Sequence, residues 1–312
     1  MISILLLAQT LRIAAPLILA AAGGVVTERS GIVNIALEGM LLAGAFGYAI
    51  AAHRAAMALG IDGQSAGLAA HVAIAAAGIT GALLAGLFLG SVHAMATIRF
   101  RADQVVCGVA LNLLAAGGSK FLLKLAFDSS SNSAWVFGLP ELPLLGRIPT
   151  LGTALAAPLV WTAALAVVGA QVLLFRTVWG LRARAAGEMP GAATTAGVGV
   201  AFVRAKAVLL GAALASLGGA WLAADQHQFT EGMSAGRGYI ALAAVIFGKW
   251  RPGPAAAACL LFAFAESLQI QLQGTGFPLP TPVLQVLPHL LALAVLAGAV
   301  GKATPPAALG KA

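Results

Sequence analysis

The chain of 312 residues is 60% hydrophobic and only 9% charged, with a mean hydropathy of +0.96 and a formal charge of +8. A soluble domain carries about 25% charge, so this composition excludes a water-soluble globule, and its apolar content equally excludes a disordered chain. What remains is an all-α, polytopic membrane helix bundle, in which the basic excess orients loops rather than serving nucleic acid.

Apolar runs lie at 2–26, 33–52, 67–98, 104–124, 156–175, 205–224, 238–248, 254–272 and 284–301. Since a helix needs about 18–20 apolar residues to cross the hydrocarbon core, they predict about eight full crossings and one partial, at 238–248. The first run lacks the charged start and small-residue cleavage pattern of a secretory signal and reads as a retained span. Pro16 inside it predicts a kink. The 38 glycines suit helices that approach closely in lipid. Cys107 and Cys259 lie in apolar runs and read as small hydrophobes.

Basic residues decide the sides. With alternating crossings, Arg99, Arg101, Arg176, Arg182, Arg184, Arg204, Lys206, Lys249, Arg251, Lys302 and Lys311, eleven of 18, share one side. The positive-inside rule makes that side, and the C-terminus, cytoplasmic. The segment 127–153 then lies outside. Its Ser129–Ser133 stretch and Pro140, Pro143 and Pro149 predict a non-helical surface loop, long enough to pack as a cap or to contact a partner.

Three places carry polar groups at membrane depth, where an ionisable side chain costs about 2.5–3.5 kcal/mol and needs a partner or a purpose. In the first, from Gly23-Gly24 to Glu38-Gly39-Met40, a tight turn with Glu28 and Arg29 in water would account for those two residues but not for Glu38. On a helix Asn34 and Glu38 would share a face. The second runs from Gly218-Gly219 through Asp225 and His227 to Glu231-Gly232-Met233 and Arg237. It leads into the short run and predicts a broken or re-entrant helix. Both stretches read Gly-Gly, polar interval, Glu-Gly-Met, apolar helix, in opposite directions across the membrane, as an inverted repeat would, and such a repeat predicts that Glu38 and Glu231 approach each other near the midplane. The third is Glu266, Gln269 and Gln273, one face of one helix, which either lines a pathway or bonds to neighbouring helices. Asn34, Glu38, Asn112, Glu231, Glu266 and Gln269 are therefore the candidate pathway residues. Gln104, Asn112 and His289 are lone polar residues in spans and read first as interhelical hydrogen bonds.

The basic segment 176–206 predicts a short helix through Leu181–Glu188 and a second opened by Pro190 and ended by Gly197. Its GLRARAAGEMPGAATTAGVGV resembles the cytoplasmic loop of bacterial ABC importer permeases of the ribose, branched-chain amino acid and nucleoside group. GGVVTERSGIVNIALEGMLLAGAF and GMSAGRGYIALAAVIFGKWRP resemble the smaller permease of nucleoside (simple-sugar) importers within it. The resemblance implies one transmembrane permease domain over 1–312 in a bacterial inner membrane. The implied partners are a cytoplasmic ATP-binding subunit, a second homologous permease forming a heterodimer, an extracytoplasmic substrate-binding lipoprotein, and membrane lipid. It makes 176–206 the ATPase coupling loop, with Arg182, Arg184, Gly187, Glu188 and Pro190 as coupling residues. Gly187 would permit close backbone approach to the ATPase.

The sequence lacks a Gly-x-x-x-x-Gly-Lys-Ser/Thr phosphate loop, a metal-ligand cluster and any nucleophile–base pair. The chain thus reads as a transport subunit and not an enzyme, without a cofactor of its own. The competing reading is an ion-coupled secondary transporter using Glu38, Glu231 and Glu266. A reporter fused after Lys311 is expected to be active in the cytoplasm and one inserted at Asn132 outside. The opposite pattern would overturn the order of spans.

Overall fold

The computed structural model describes residues 2–61, 65–142, 152–274 and 303–311, with 286 and 290. The expected last run, 284–301, lies otherwise outside the described residues, as does His289. Each earlier run becomes helix, because in lipid every backbone N–H and C=O must be satisfied within the chain. The elements are α1 (Ile2–Arg29), α2 (Leu37–Ala58), α3 (Leu68–Ala94, continued by a π-helical turn, Met95–Arg99) and α4 (Gln104–Phe127). They continue with α5 (Gly152–Leu155), α6 (Pro158–Arg176), α7 (Val178–Glu188), α8 (Pro190–Thr195), α9 (Val200–Gln226), α10 (Arg237–Phe247) and α11 (Pro252–Gly274).

Six of these, α1, α3, α4, α6, α9 and α11, are long and apolar enough to cross a membrane, so the chain is a multi-pass membrane protein. α2 matches them in length, with 22 residues, but carries Glu38, His53 and Arg54. Pro16 is accommodated inside α1 without ending it.

The helix ends follow local chemistry. Asp103 caps α4, accepting the Val105 and Val106 amides at 2.9 Å. Thr177 caps α7, accepting the Gly180 N–H at 3.0 Å, which starts that helix three residues before the sequence predicts. α4 stops at Asp128, in the left-handed region, where Lys124 pairs with its carboxylate at 2.8 Å. That hydrogen bond and charge hold the Asp128 carboxyl below its usual range.

α1 and α9 form the centre. In α9, 72% of the membrane-length window is buried, against 22% in the peripheral α6. Close crossings are made by glycine. A Cβ on Gly23 of α1 would come within 2.5 Å of the Gly211 carbonyl of α9. A Cβ on Gly44 of α2 would collide with the backbone of Ser216, and one on Gly219 of α9 with that of Leu41. Without a hydrophobic drive between helices in lipid, such backbone contact supplies the packing energy.

One end of the bundle is covered by residues 129–138, which pair antiparallel with the segment after α9. Ser133 N–H donates to Phe229 O at 2.8 Å, Val136 N–H to His227 O at 2.8 Å, and Glu231 N–H to Ser131 O at 2.8 Å. Tyr48 donates its hydroxyl to Phe137 O at 2.9 Å, and the His227 ring stacks on Trp135 at 5.2 Å. The 127–153 segment thus packs as a cap over its described part, up to residue 142. The opposite end gathers the close of α1, the π turn after α3, α7, α8, the α10–α11 turn and the tail 303–311.

The two classes of glycine make opposite predictions. Gly44→Ala is expected to lose about 1–3 kcal/mol by overpacking. Gly169→Ala, with open space around it, should lose nothing and gain up to about 1 kcal/mol of helix propensity. Thermal midpoints of the purified variants in detergent measure the difference, and equal midpoints would refute the backbone-contact packing.

Candidate functional site

α10 is a half-length helix. Its 11 residues rise about 16 Å, roughly half of the ~30 Å hydrocarbon core. A carboxylate from another helix closes its amide end. Glu38, in the first turn of α2, accepts the Gly236 N–H at 2.8 Å on Oε1 and the Gly238 N–H at 2.7 Å on Oε2. Gly236 is left-handed at φ +82°, and a Cβ on Gly238 would strike the Glu38 backbone. Orphan donors of a helix start are thereby satisfied by a group whose charge suits the positive end of the helix.

Two further helices fix the same point. Arg237 Nη2 of α10 meets Glu266 Oε1 of α11 at 2.7 Å. Asn112 of α4 donates to Tyr239 Oη and to Ile35 O, both at 3.0 Å, and accepts the Gly39 N–H at 2.8 Å. Three helices, α2, α4 and α11, therefore converge on the start of α10, and Glu38, Asn112 and Glu266 are brought together there. Gln269 lies half-buried one turn along α11 from Glu266, and Gln273 is exposed.

Several expectations are corrected. Glu231 does not meet Glu38. It is half-exposed and pairs with Lys120 of α4 at 2.8 Å, while Glu38 binds the chain five and seven residues further on. Asn34 shares no helical face with Glu38, because residues 32–34 are non-helical and α2 begins at Leu37. It is fully buried, with Nδ2 3.8 Å from Met40 Sδ and Oδ1 lacking a hydrogen-bond partner. Gln104 bonds not to another helix but to the interruption itself, accepting the Val33 N–H at 2.6 Å. The His93 ring lies 3.2 Å from the Val33 carbonyl. Polar side chains from α3 and α4 thus supply the hydrogen bonds that residues 30–36 cannot make as helix.

The solvated-turn reading of Glu28 and Arg29 is also overturned. Glu28 is 2% exposed and accepts the Trp250 indole N–H at 2.6 Å. Arg29 Nε donates to Trp250 O at 2.8 Å. The end of α1 is thereby tied to the turn after α10.

The same joint receives α7. Gly187 is buried, and a Cβ there would collide with Arg29 O, so its close approach is to this chain's own α1 and not outward. A Gly187→Trp change would break the joint itself. Glu188 stands 3.9 Å from Arg29 Nη1 and accepts the Ala307 N–H at 3.1 Å. Arg204, counted among the loop cations, is 6% exposed; it donates to Ser30 O at 3.1 Å and to Ala186 O and Lys311 O at 3.3 Å. Arg184 lies over the Phe175 ring at 5.1 Å. Arg182 stays exposed, and Pro190 opens α8. On their outer side α7 and α8 form a 490 Å³ apolar groove lined by Val178, Leu181, Arg182, Met189, Ala192 and Ala196 among others.

Sequence reasoning passed over His93, Arg204, Tyr239, Trp250 and the amides of Gly236 and Gly238. Arg204 carried no separate signal, since a buried arginine at a helix start reads like any positive-inside charge. Gly236 and Gly238, flanking Arg237 at the mouth of a short apolar run, were a visible cue for a capped half-helix. Among the described residues no group of His, Cys, Asp or Glu could hold a metal ion.

The clamp on α10 can be tested directly. Glu38→Ala, which removes both acceptors, is expected to destabilise the protein by about 1–3 kcal/mol, and Glu38→Gln, which keeps one acceptor, by less. Thermal unfolding in detergent reads this order. A Glu38→Ala midpoint equal to wild type would show that the clamp holds nothing.

The described arrangement sets a polar-clamped half-helix inside a bundle and two short helices at one end. The chain is 39% identical over 309 residues to the guanosine ABC transporter permease protein NupQ of Bacillus subtilis, covering 96% of this chain and 93% of that one. It is 37% identical over 313 residues to the nucleoside ABC transporter permease protein NupC of Lactococcus lactis, covering 98% and 95%. No solved structure matches it. The model of the family described as "branched-chain amino acid transport system / permease component" matches residues 6–299, and the chain belongs to that family of membrane permeases, which work with an ATP-binding subunit and a substrate-binding protein.

Proposed function

We propose that this chain is the permease subunit of an ATP-driven importer for nucleosides or related simple-sugar compounds. It takes substrate from an extracytoplasmic binding lipoprotein and passes it to the cytoplasm beside a second, homologous permease. The observation that carries the substrate class is the 37–39% identity to guanosine and nucleoside permeases over nearly the whole of both chains. In this reading the pathway runs past the start of α10, where Asn34, Glu38, Asn112, Glu266 and Gln269 lie near or on the converging elements and Glu231 guards the outer side.

The coupling loop is 176–206. Its apolar groove, with Leu181 59% and Met189 69% exposed, suits an ATPase surface. Arg182, Arg184 and Pro190 shape that face. Gly187 and Glu188 transmit its movement inward to α1. Eight full crossings and one partial, with the C-terminus in the cytoplasm, accord with the clustering of Arg29, Arg204, Arg251 and Lys311 at one end. The inverted repeat is supported by the pairing of α1–α2 with α9–α10. Gly23 sits at the α1–α9 crossing, and Gly218 and Gly219 at the crossings of α9 with α1 and α2. The secondary-transport reading is disfavoured. Its carriers Glu38, Glu231 and Glu266 are each engaged by backbone amides or a basic partner, and the relatives are ABC permeases.

The test is uptake of labelled guanosine into vesicles holding the assembled importer. Uptake is expected to require ATP and to survive collapse of ion gradients. Uptake driven by a gradient without ATP would restore the alternative. Leu181→Asp with Met189→Asp, on the exposed groove, should leave the permease folded and reduce ATP-driven uptake at least about tenfold by opposing a desolvated contact.

A further inference from the structure

At the end of the bundle that gathers α7 and the tail, a cavity of 610 Å³ opens between the close of α1, the α10–α11 turn and residues 304–305. Its walls include Arg29, Lys249 and Arg251, with Glu188 as the one acidic group among the described residues. Glu188 pairs with Arg29 and so offsets only one of the three positive charges. It stands 3.9 Å from Arg29, beyond hydrogen-bond reach, and its other oxygen is taken by the Ala307 amide. Glu28 is turned inward to Trp250.

Positive charge is in excess behind the wall as well. Arg184 shares the Phe175 ring with Arg29, at 5.1 and 5.8 Å, and its Nε is buried with no hydrogen-bond partner. Lys249 and Trp250 are consecutive left-handed residues, at φ 51° and 54°. The turn sends Trp250 into the core and leaves Lys249 at the cavity. A half-buried guanidinium fixed at Nε, flanked by two exposed cations, offers forked and point donors together, as a phosphate group requires.

We propose that this cavity binds a phosphate-bearing anion, either a small soluble phosphate compound or an anionic lipid headgroup. The ligand would bridge Arg29 to Lys249 and Arg251, and so join α1 to the α10–α11 turn beside Glu188 of α7. Any movement passing from α7 to α10 crosses this joint, so occupancy would stiffen it. The inference goes beyond the transport reading and does not depend on the substrate.

The test uses the full-length permease in phosphatidylcholine nanodiscs, with and without phosphatidic acid. Pyrophosphate titration by calorimetry reads the soluble source, and phosphatidic acid retained in native mass spectra reads the lipid source. Lys249→Gln with Arg251→Gln changes two exposed side chains and spares the Arg29–Trp250 contact. It should weaken whichever probe binds by about tenfold or more, since bonds between charged groups are lost. Saturable pyrophosphate binding that falls in the double variant establishes a soluble ligand. Phosphatidic acid retained by wild type and lost by the variant establishes the headgroup. Binding of neither probe, or equal binding by wild type and double variant, overturns the proposal.

Discussion

Backbone that leaves the helix inside a membrane bundle must find hydrogen-bond partners, because lipid offers none. This chain leaves the helix at residues 30–36 and again before α10, and the arrangement around both breaks answers that requirement. Glu38 closes α10 with two charge-assisted bonds at 2.7–2.8 Å. Asn112, Gln104 and His93 attend to the segment that delivers Glu38. Asn112, bonded both to Ile35 and to Tyr239 of α10, links the two breaks.

That linkage explains why small residues dominate the centre. For Glu38 to reach the α10 amides, α2 must lie against α10 with no side chain between, and Gly238 provides the gap. For α2 to lie there it must also seat on α9, through Gly44 and Gly219. Polar clamps and glycine crossings are one design, since the clamps need a backbone separation that only glycine permits.

Trp250 and Arg204 extend the same logic to the opposite end. Trp250 ties the close of α10 to α1 through Glu28 and Arg29, and Arg204 ties α1 to α7 and the tail. These polar contacts link α7, α1 and the close of the half-helix in one continuous chain.

The sequence by itself determined the membrane class, nearly every helix, the short helix, the two helices within 176–206 and the family. These follow from local quantities: apolar run length, glycine and proline punctuation, and motifs that survive in order along the chain. It also marked Glu38, Asn112 and Glu266 as polar groups in an apolar setting, since insertion cost is a property of each residue where it stands. What only the tertiary structure decided is who answers whom. Glu38 pairs with the amides of Gly236 and Gly238 rather than approaching Glu231. Gly187 faces Arg29 rather than outward, and Arg204 is buried rather than in water. Partners some 200 residues apart in sequence meet only when helix crossings set the distance and rotation between them. A charge at a helix end looks the same in sequence whether it faces solvent or closes a joint.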